Sequence, residues 1–163
     1  MRPPRRAALF LSAAQISALV WMPAPAATAR SLPPSEWVIG PQQRVVLLTF
    51  DGRTRSRSLV RVLQDLADRG VRASFFLPGS YVEQNPNKAR LVLAGNNKLG
   101  NAGYGRSRFT DMSDAAIRDS IRKAQEALRK INVYSKPFLR VPDGARDSRV
   151  LRVAGSMGYR SVR

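Results

Sequence analysis

Cysteine and histidine are both absent from the 163 residues of the chain. The absence of cysteine excludes disulfides, thiolate metal sites, a cysteine nucleophile and a lipid-modified cysteine at a processing site. Together the two absences remove the nitrogen and sulfur side chains that most often bind a transition metal. Any metal site would therefore depend on carboxylates, and the chain has only 11 Asp and Glu residues.

The charge of the chain is strongly one-sided. Against those 11 acids there are 28 Lys and Arg residues, which give a formal net charge of +17. A protein this basic is attracted to anionic surfaces such as acidic cell-wall polymers or lipid head groups. Nucleic acid would attract the same charge, but no aromatic-interleaved basic motif or recognition-helix pattern is present. Because the basic residues are spread along the chain and are mostly Arg, a dedicated anionic partner and a coding bias both stay open.

The N-terminus has the pattern of a secretory signal. Three arginines lie within residues 1–6, residues 7–22 are mostly apolar, and small-residue cleavage sites follow Ala26 and Ala29. The apolar segment is short for a membrane-spanning helix and contains serine and glutamine, which favours a cleaved signal over a retained anchor. The sequence therefore predicts a signal peptide over residues 1–29, secretion or a cell-envelope location, no stable membrane span and no nucleic-acid partner.

After a linker over residues 30–43, which contains Pro33, Pro34, Gly40 and Pro41, strand and helix patterns alternate. The predicted strands are Arg44–Phe50, Val71–Leu77, Lys98–Asn101, Pro137–Arg140 and Tyr159–Arg163. The predicted helices are Ser56–Arg69, Asn85–Ala94, Ser113–Ile131 and Asp147–Met157. This alternation predicts an α/β domain over residues 44–163, with a parallel sheet that is open or closed into a barrel. Functional residues in such folds occupy loops at the carboxyl ends of the strands.

The first of these loops places an acid at a strand tip. Asp51 follows the apolar run at 45–48 and precedes Gly52, within the stretch TFDGRTR. An acid in this position is a common place for chemistry in strand–helix proteins. It is also a common cap or ion-pair partner for nearby arginines, so position alone leaves both interpretations open.

Five blocks of sequence follow the strand–helix order: LLTFDG, ASFFLPG, LGNAGYGRSRFTDMS, FLRVPDG and GYRSV. In this order and spacing they resemble the polysaccharide deacetylase family, also called the NodB homology domain or carbohydrate esterase family four. The resemblance covers roughly residues 40–163. It implies a partial distorted (β/α) barrel whose relatives use a divalent metal such as zinc. The family removes N- or O-acetyl groups from chitin, peptidoglycan or related glycans.

The first two blocks of the family supply its metal ligands. In T-F-D-D-G the first aspartate is the base and the second binds the metal, but this chain has a single aspartate. Counting without a gap places Asp51 at the base and Gly52 at the ligand, whereas a gap would make Asp51 the remaining ligand. In the second block, G-N-H-x-x-x-H, Ala102 and Arg106 occupy the positions of the two histidines. By the ungapped alignment all three family metal ligands are lost.

The third block of the family, R-x-P-x-G, is intact and runs from Arg140 to Gly144. The resemblance implies that Arg140 orients the base and that the backbone after Pro142 helps to hold the oxyanion. Asp143 lies where the family usually has a neutral, often aromatic residue, and its carboxylate would oppose the developing charge or turn outward to a nearby arginine. The family's later blocks would follow Arg163, so we expect the domain to be incomplete at its C-terminus.

Hydrolysis of an acetamide at neutral pH needs an activated water and stabilisation of a tetrahedral oxyanion. Zinc lowers the pKa of its bound water to about 7 and requires about three protein ligands. Here Asp51 and Asp143 are the acids of the predicted cleft, and Arg106 adds a cation where the metal would lie. The sequence therefore predicts that no metal is bound.

The sequence supports three hypotheses. The first is an exported deacetylase-fold protein without metal-dependent activity that binds an N-acetylated glycan or an anionic cell-wall polymer. The second is a weakly active, metal-independent deacetylase that uses Asp51 and Arg140, and the third is a shortened, non-functional gene product. In the first two, aromatic and basic side chains are expected to line a substrate groove beside the third block. These side chains are Tyr81, Tyr104, Arg53, Arg55, Arg106 and Arg108.

Overall fold

The computed structural model describes residues 46–52 and 56–162, and only the backbone at positions 56 and 57. The predicted signal peptide and linker lie outside the described residues, as do Arg53 and Arg55 of the predicted groove. Everything that follows concerns the described part of the chain.

Five strands and five helices alternate along the described residues. The strands are β1 (Leu48–Asp51), β2 (Ala73–Leu77), β3 (Lys98–Asn101), β4 (Phe138–Leu139) and β5 (Arg160–Ser161). The helices are α1 (Ser56–Asp68), α2 (Gly79–Gln84), α3 (Pro86–Ala94), α4 (Asp114–Arg129) and α5 (Ser148–Ser156). All strands are parallel, lie in the order β1-β2-β3-β4-β5, and form a sheet that curls into a half-barrel. This arrangement confirms the predicted α/β class and the partial distorted (β/α) barrel.

The register of the sheet brings the carboxyl ends of its strands level. Asp51 lies opposite Phe76, and Phe76 lies opposite Gly100. Strand β4 continues the sheet by pairing Leu139 with Asn101. Because parallel strands all end at one edge, the loops after β1, β3 and β4 lie beside one another there.

Helix α4 shows how the sequence positions these elements. The Ser113 hydroxyl accepts a hydrogen bond from the Ala116 amide and caps the helix. Its apolar residues recur at helical spacing, and Ile117, Ile121 and Leu128 are fully buried. None of the helices among residues 46–52 and 56–162 is long and apolar enough to span a membrane.

Two hydrophobic clusters support the sheet. The first lies under β1–β3 and contains Phe75, which stacks on Phe50 with ring centroids 5.0 Å apart. The second lies around β4, β5 and α5 and contains Leu139, Val150 and the fully buried Tyr159. Each large apolar side chain buried in these clusters contributes about 1.5–3 kcal/mol relative to exposure.

Helix α2 differs from the sequence prediction, which placed no helix between the strand Val71–Leu77 and Asn85. The helix begins at Gly79, and no side chain caps it. Its first amides are satisfied instead by the loop after β3, because Gly79 N donates to the Gly103 carbonyl (2.9 Å) and Ser80 N to the Tyr104 carbonyl (3.0 Å). Hydrogen bonds to the loop after β3 thus take the place of a capping side chain, which a sequence analysis could have recognised.

Candidate functional site

A cleft opens where the carboxyl ends of β1, β3 and β4 meet. It is lined by Asp51, Gly52, Phe76, Pro78, Ala102, Arg106, Arg140, Val141, Pro142 and Asp143. The structure therefore brings together most of the predicted site residues, although they come from three separate sequence blocks. Their catalytic and binding roles stay predictions.

Asp51 and Arg140 form an ion pair in this cleft. Arg140 Nη1 lies 3.2 Å from Asp51 Oδ1, and Nη2 donates to Thr49 Oγ1 at 2.9 Å. The guanidinium lies over the ring of Phe76, 4.6 Å from its centroid, and the arginine side chain is only 15% exposed. Its backbone is fixed as well, since Arg140 N donates to the Asn101 carbonyl. The arginine is therefore held rigidly, whereas the Asp51 side chain is 56% exposed and faces the cleft mouth.

The contacts of Thr49 and Phe76 with Arg140 were not predicted. Thr49 belongs to the same sequence block as Asp51, TFDG, but only Asp51 was predicted as a site residue. The pairing of Asp51 with Phe76 in the sheet register places that ring beneath the arginine. Membership of the TFDG block could have pointed to Thr49. The position of Phe76 depends on the strand register, which the sequence does not state.

The third block forms a tight turn at the rim of the cleft. Pro142 is buried, and Asp143 and Gly144 adopt left-handed backbone conformations with φ of 57° and 65°. Aspartate tolerates this region better than most residues, and glycine enters it without strain. Gly144 N donates to the Val141 carbonyl and Ala145 N to the Pro142 carbonyl, each three residues earlier in the chain. Asp143 and Pro142 line the cleft, whereas Gly144 is exposed beyond it.

The three positions that resemble metal-ligand positions lie in the same cleft. They are Gly52, Ala102 and Arg106, of which two lack any polar side chain and the third is a cation. A Cβ atom on Gly52 would lie 2.2 Å from Leu77 Cδ2, so a side chain there requires Leu77 to move. Among the described residues no group of three or more His, Cys, Asp or Glu side chains could hold a metal ion. The donor set of this cleft does not fit a divalent metal.

Tyr104 lies away from the cleft. Its hydroxyl donates to Glu83 Oε2 at 2.8 Å, a contact that raises the pKa of Tyr104, and its amide donates to Ser120 Oγ at 2.9 Å. It lines a second cavity beside α4. Tyr81, which was also expected in the groove, has a buried hydroxyl without a hydrogen-bond partner in the described part of the chain, and burial raises its pKa.

Asn101 anchors the loop after β3, which carries Ala102, Tyr104 and Arg106. Its side chain is fully buried and donates to the Ile121 carbonyl (3.0 Å) and to the Tyr159 hydroxyl (3.3 Å). Its Oδ1 accepts the Gly103 amide at 2.8 Å. The backbone after β3 is therefore fixed by a satisfied buried amide.

Comparison with known proteins accounts for this arrangement. The family model described as polysaccharide deacetylase matches residues 39–162, which is most of the chain. The chain belongs to the polysaccharide deacetylase family.

Individual members of the polysaccharide deacetylase family match over part of their length. The peptidoglycan-N-acetylmuramic acid deacetylase PdaC of Bacillus subtilis is 29% identical over 111 residues, which are 68% of this chain and 24% of PdaC. A peptidoglycan-N-acetylglucosamine deacetylase of Bacillus cereus is 29% identical over 106 residues, which are 64% of this chain and 38% of that protein. The chain thus spans well under half the length of these curated relatives.

A solved structure of the family matches the half-barrel. It is a mutant of BA3943, a CE4 family pseudoenzyme of Bacillus anthracis, with restored enzymatic activity. It superimposes with a TM-score of 0.71 at 26% identity and covers 76% of this chain and 46% of its own. Wild-type BA3943, at 24% identity and a TM-score of 0.70, shares the fold.

Proposed function

We propose that this polysaccharide deacetylase-family protein is exported, binds an N-acetylated glycan or anionic cell-wall polymer, and lacks the family's metal-dependent hydrolysis. The observation that carries the proposal is the composition of the cleft. Gly52, Ala102 and Arg106 occupy it together, beside the paired Asp51 and Arg140. The framework of a deacetylase site is present without a donor set for its metal.

Electrostatics in the cleft oppose metal binding. A positive charge beside a cation site raises the energy of a bound cation, and solvent reduces this effect where the charged side chain is exposed. Arg106 contributes a positive charge, and the carboxylate of Asp51 is already paired with Arg140. Without the metal, a water in the cleft keeps its ordinary high pKa and is a poor nucleophile at neutral pH.

Glycan binding is supported by the cleft and by the family. The cleft combines charged groups with the apolar surfaces of Phe76, Pro78, Val141 and Pro142, a mixture suited to a sugar with an N-acetyl group. The curated relatives carry the names of peptidoglycan deacetylases, and a structural relative is described as a pseudoenzyme of this family. Export follows from the signal-like N-terminus and agrees with a cell-wall ligand.

Calorimetric titration with Zn²⁺ and Co²⁺ tests the missing metal site. We expect no stoichiometric binding at neutral pH by the full chain. The matched positive control carries Gly52→Asp, Ala102→His and Arg106→His, which restores the family's donor set and should gain zinc affinity. Stoichiometric binding by the unaltered chain tighter than about micromolar, equivalent to about −8 kcal/mol, contradicts the proposal.

Binding to N-acetylated chito-oligomers and to purified peptidoglycan tests the ligand. We expect saturable binding, and binding to anionic wall polymer that weakens from low to physiological salt. Arg106→Gln is expected to reduce the salt dependence, whereas Arg152→Gln, an exposed arginine of α5, serves as the control for general charge. Absence of binding by folded protein to every one of these polymers refutes the proposed ligand class.

A second candidate function is favoured by the intact Asp51–Arg140 pair. In this alternative Asp51 acts as a general base on a water without a metal, and Arg106 stabilises the oxyanion. Arginine keeps its proton and cannot activate water as zinc does, so the rate should be low. Release of acetate from chito-oligomers that disappears in Asp51→Asn and Arg140→Ala supports this alternative, and no release above buffer excludes it.

A further inference from the structure

Exposed apolar and basic side chains occur together at the amino edge of the sheet, where the strands begin. We infer that this edge docks on the surface of an anionic lipid bilayer. The docking surface is formed by residues that precede or begin the first four strands: Leu47, Val71, Arg72, Lys98, Tyr134 and Lys136. The inference goes beyond the proposed glycan binding, because the cleft lies at the opposite ends of the same strands.

Tyr134 is the largest apolar side chain of the docking surface, and it is 82% exposed. The residues on either side of it, Val133 and Ser135, are buried. Val133 N donates to the Leu128 carbonyl, and the Ser135 carbonyl accepts from Phe138 N, so the loop is held at both ends. The tyrosine ring therefore projects into solvent from an ordered loop. Tyrosine is enriched at membrane–water interfaces, where its ring lies at the level of the lipid head groups.

Two aliphatic side chains extend the apolar part of the docking surface. Val71 follows the turn that ends α1, and its amide donates to the Leu66 carbonyl at 2.9 Å. Although this turn is ordered, the Val71 side chain is 39% exposed, and Leu47 before β1 is 62% exposed. Such side chains gain free energy when they leave water for the boundary between the head groups and acyl chains of a bilayer.

The packing of the strands brings these loops to one edge. Strand β1 begins with Leu48 opposite Ala73, the first residue of β2. Ala73 N also donates to Asn97 Oδ1 at 2.8 Å, which ties the start of β3 to that of β2. The loop before β4 joins them, because Val133 belongs to the same buried cluster as Ala73. The exposed side chains of the four loops therefore form one surface.

The docking surface also carries three exposed cations, which are Arg72, Lys98 and Lys136. Asp65 and Asp68 lie in the last turns of α1, and Asp65 pairs with Arg69 at 3.5 Å. The cations of the surface thus outnumber the carboxylates that precede it. Basic residues close to an anionic membrane are attracted to its head groups. A charged wall polymer would bind the cations alone, whereas a bilayer also accommodates the apolar side chains, so the combination favours the bilayer.

Docking by the amino edge leaves the cleft accessible. Strands of four or five residues separate the two edges of the sheet by about 13–17 Å. Apolar groups that lie at a bilayer interface are buried by about 5–10 Å. The cleft at the carboxyl edge therefore stays outside the bilayer and faces away from it.

A local fluorescent probe tests this orientation in the full chain. Because the chain has no cysteine, Tyr134→Cys and Ser107→Cys each provide a single site for an environment-sensitive fluorophore. Ser107 is an exposed residue of the loop after β3, at the opposite edge. With vesicles of phosphatidylglycerol and phosphatidylcholine in equal parts, we expect a blue shift at position 134 and none at 107. Vesicle binding without a shift at position 134 overturns the inference, because another segment is then responsible.

Charge reversal tests the cations in vesicle co-sedimentation. Arg72→Glu, Lys98→Glu and Lys136→Glu together should lower partitioning onto the same vesicles at least about tenfold. The matched control carries Arg108→Glu, Arg118→Glu and Arg152→Glu, three exposed cations elsewhere on the domain, and should lose less than about threefold. Circular dichroism checks that both variants are folded, and the probe at position 134 gives a readout that does not depend on them.

The possible outcomes separate a bilayer from other partners. Binding to anionic vesicles that is much weaker for pure phosphatidylcholine, with the expected shift and the unequal losses, supports the inference. Equal losses in the two triple variants overturn it, because the charge then acts diffusely. Binding to purified anionic wall polymer without binding to vesicles also overturns it. None of these results changes the proposed function of the cleft, which is measured separately with soluble N-acetylated oligomers.

Discussion

Replacement of Gly79 by alanine should disrupt the junction between α2 and α4. The added Cβ would lie 2.6 Å from the Cα of Ala124, 3.1 Å from its Cβ and 3.0 Å from the Tyr104 ring. The nearest atom is backbone and cannot rotate away, so the two helices must separate. Overpacking of this kind costs about 1–3 kcal/mol. At about 4 °C per kcal/mol for a domain of this size, Tm should fall by about 4–12 °C.

Gly155→Ala is the matched control for this prediction. Gly155 lies in α5, and a Cβ there would meet nothing within 4 Å. A glycine replaced by alanine at a compatible helical position gains about 0.4–1 kcal/mol. Urea denaturation should therefore separate the two variants by about 1.5–4 kcal/mol in unfolding free energy, with Gly79→Ala the weaker protein. Equal stability of the two variants would refute the close packing of α2 on α4.

Two further perturbations address the surroundings of the site. Asn101→Ala removes the partner of buried backbone groups and should lower the free energy of unfolding in urea by more than about 2 kcal/mol. Replacement of the exposed Asn87 by alanine should change that free energy by no more than about 0.5 kcal/mol. Similar losses in the two variants would contradict the role of the buried amide. Hydrogen bonds from Lys130 and Tyr104 hold the pKa of Glu83 below its ordinary value of 4.5. The stabilisation from this carboxylate is therefore present above about pH 4.5 and lost as the pH falls through the lower folded value. Thermal melts should show Glu83→Gln less stable than wild type at about pH 7 and equal to it at about pH 3, and a pH-independent difference would contradict this account.

Periodic patterns predicted the regular elements well. Helix α4 was expected from Ser113 onward because apolar residues recur there at helical spacing, and the structure begins it at Asp114 with Ser113 as its cap. Helix α2 was not predicted, because no side chain caps it and its first amides donate instead to the Gly103 and Tyr104 carbonyls. Such a helix depends on contacts between distant segments, which local propensity does not contain.

Motif order predicted which residues meet at the strand ends, and Asp51 with Arg140 illustrates why. Both lie at the carboxyl ends of parallel strands, so topology alone brings them to one edge. Tyr104 illustrates the opposite case. Its backbone amide donates to Ser120 and its hydroxyl donates to Glu83, residues of two different helices, and no spacing in the sequence predicts these contacts.

Hydrogen bonds to backbone groups determine the course of the loop after β3, whereas its side chains at 102 and 106 line the cleft. Asn101, Ser120 and the first amides of α2 bind its peptide groups, and these hydrogen bonds do not use the side chains at 102 and 106. Replacement of those two side chains would leave these backbone contacts in place. The course of the loop and the charge of the cleft can therefore be changed separately by substitution.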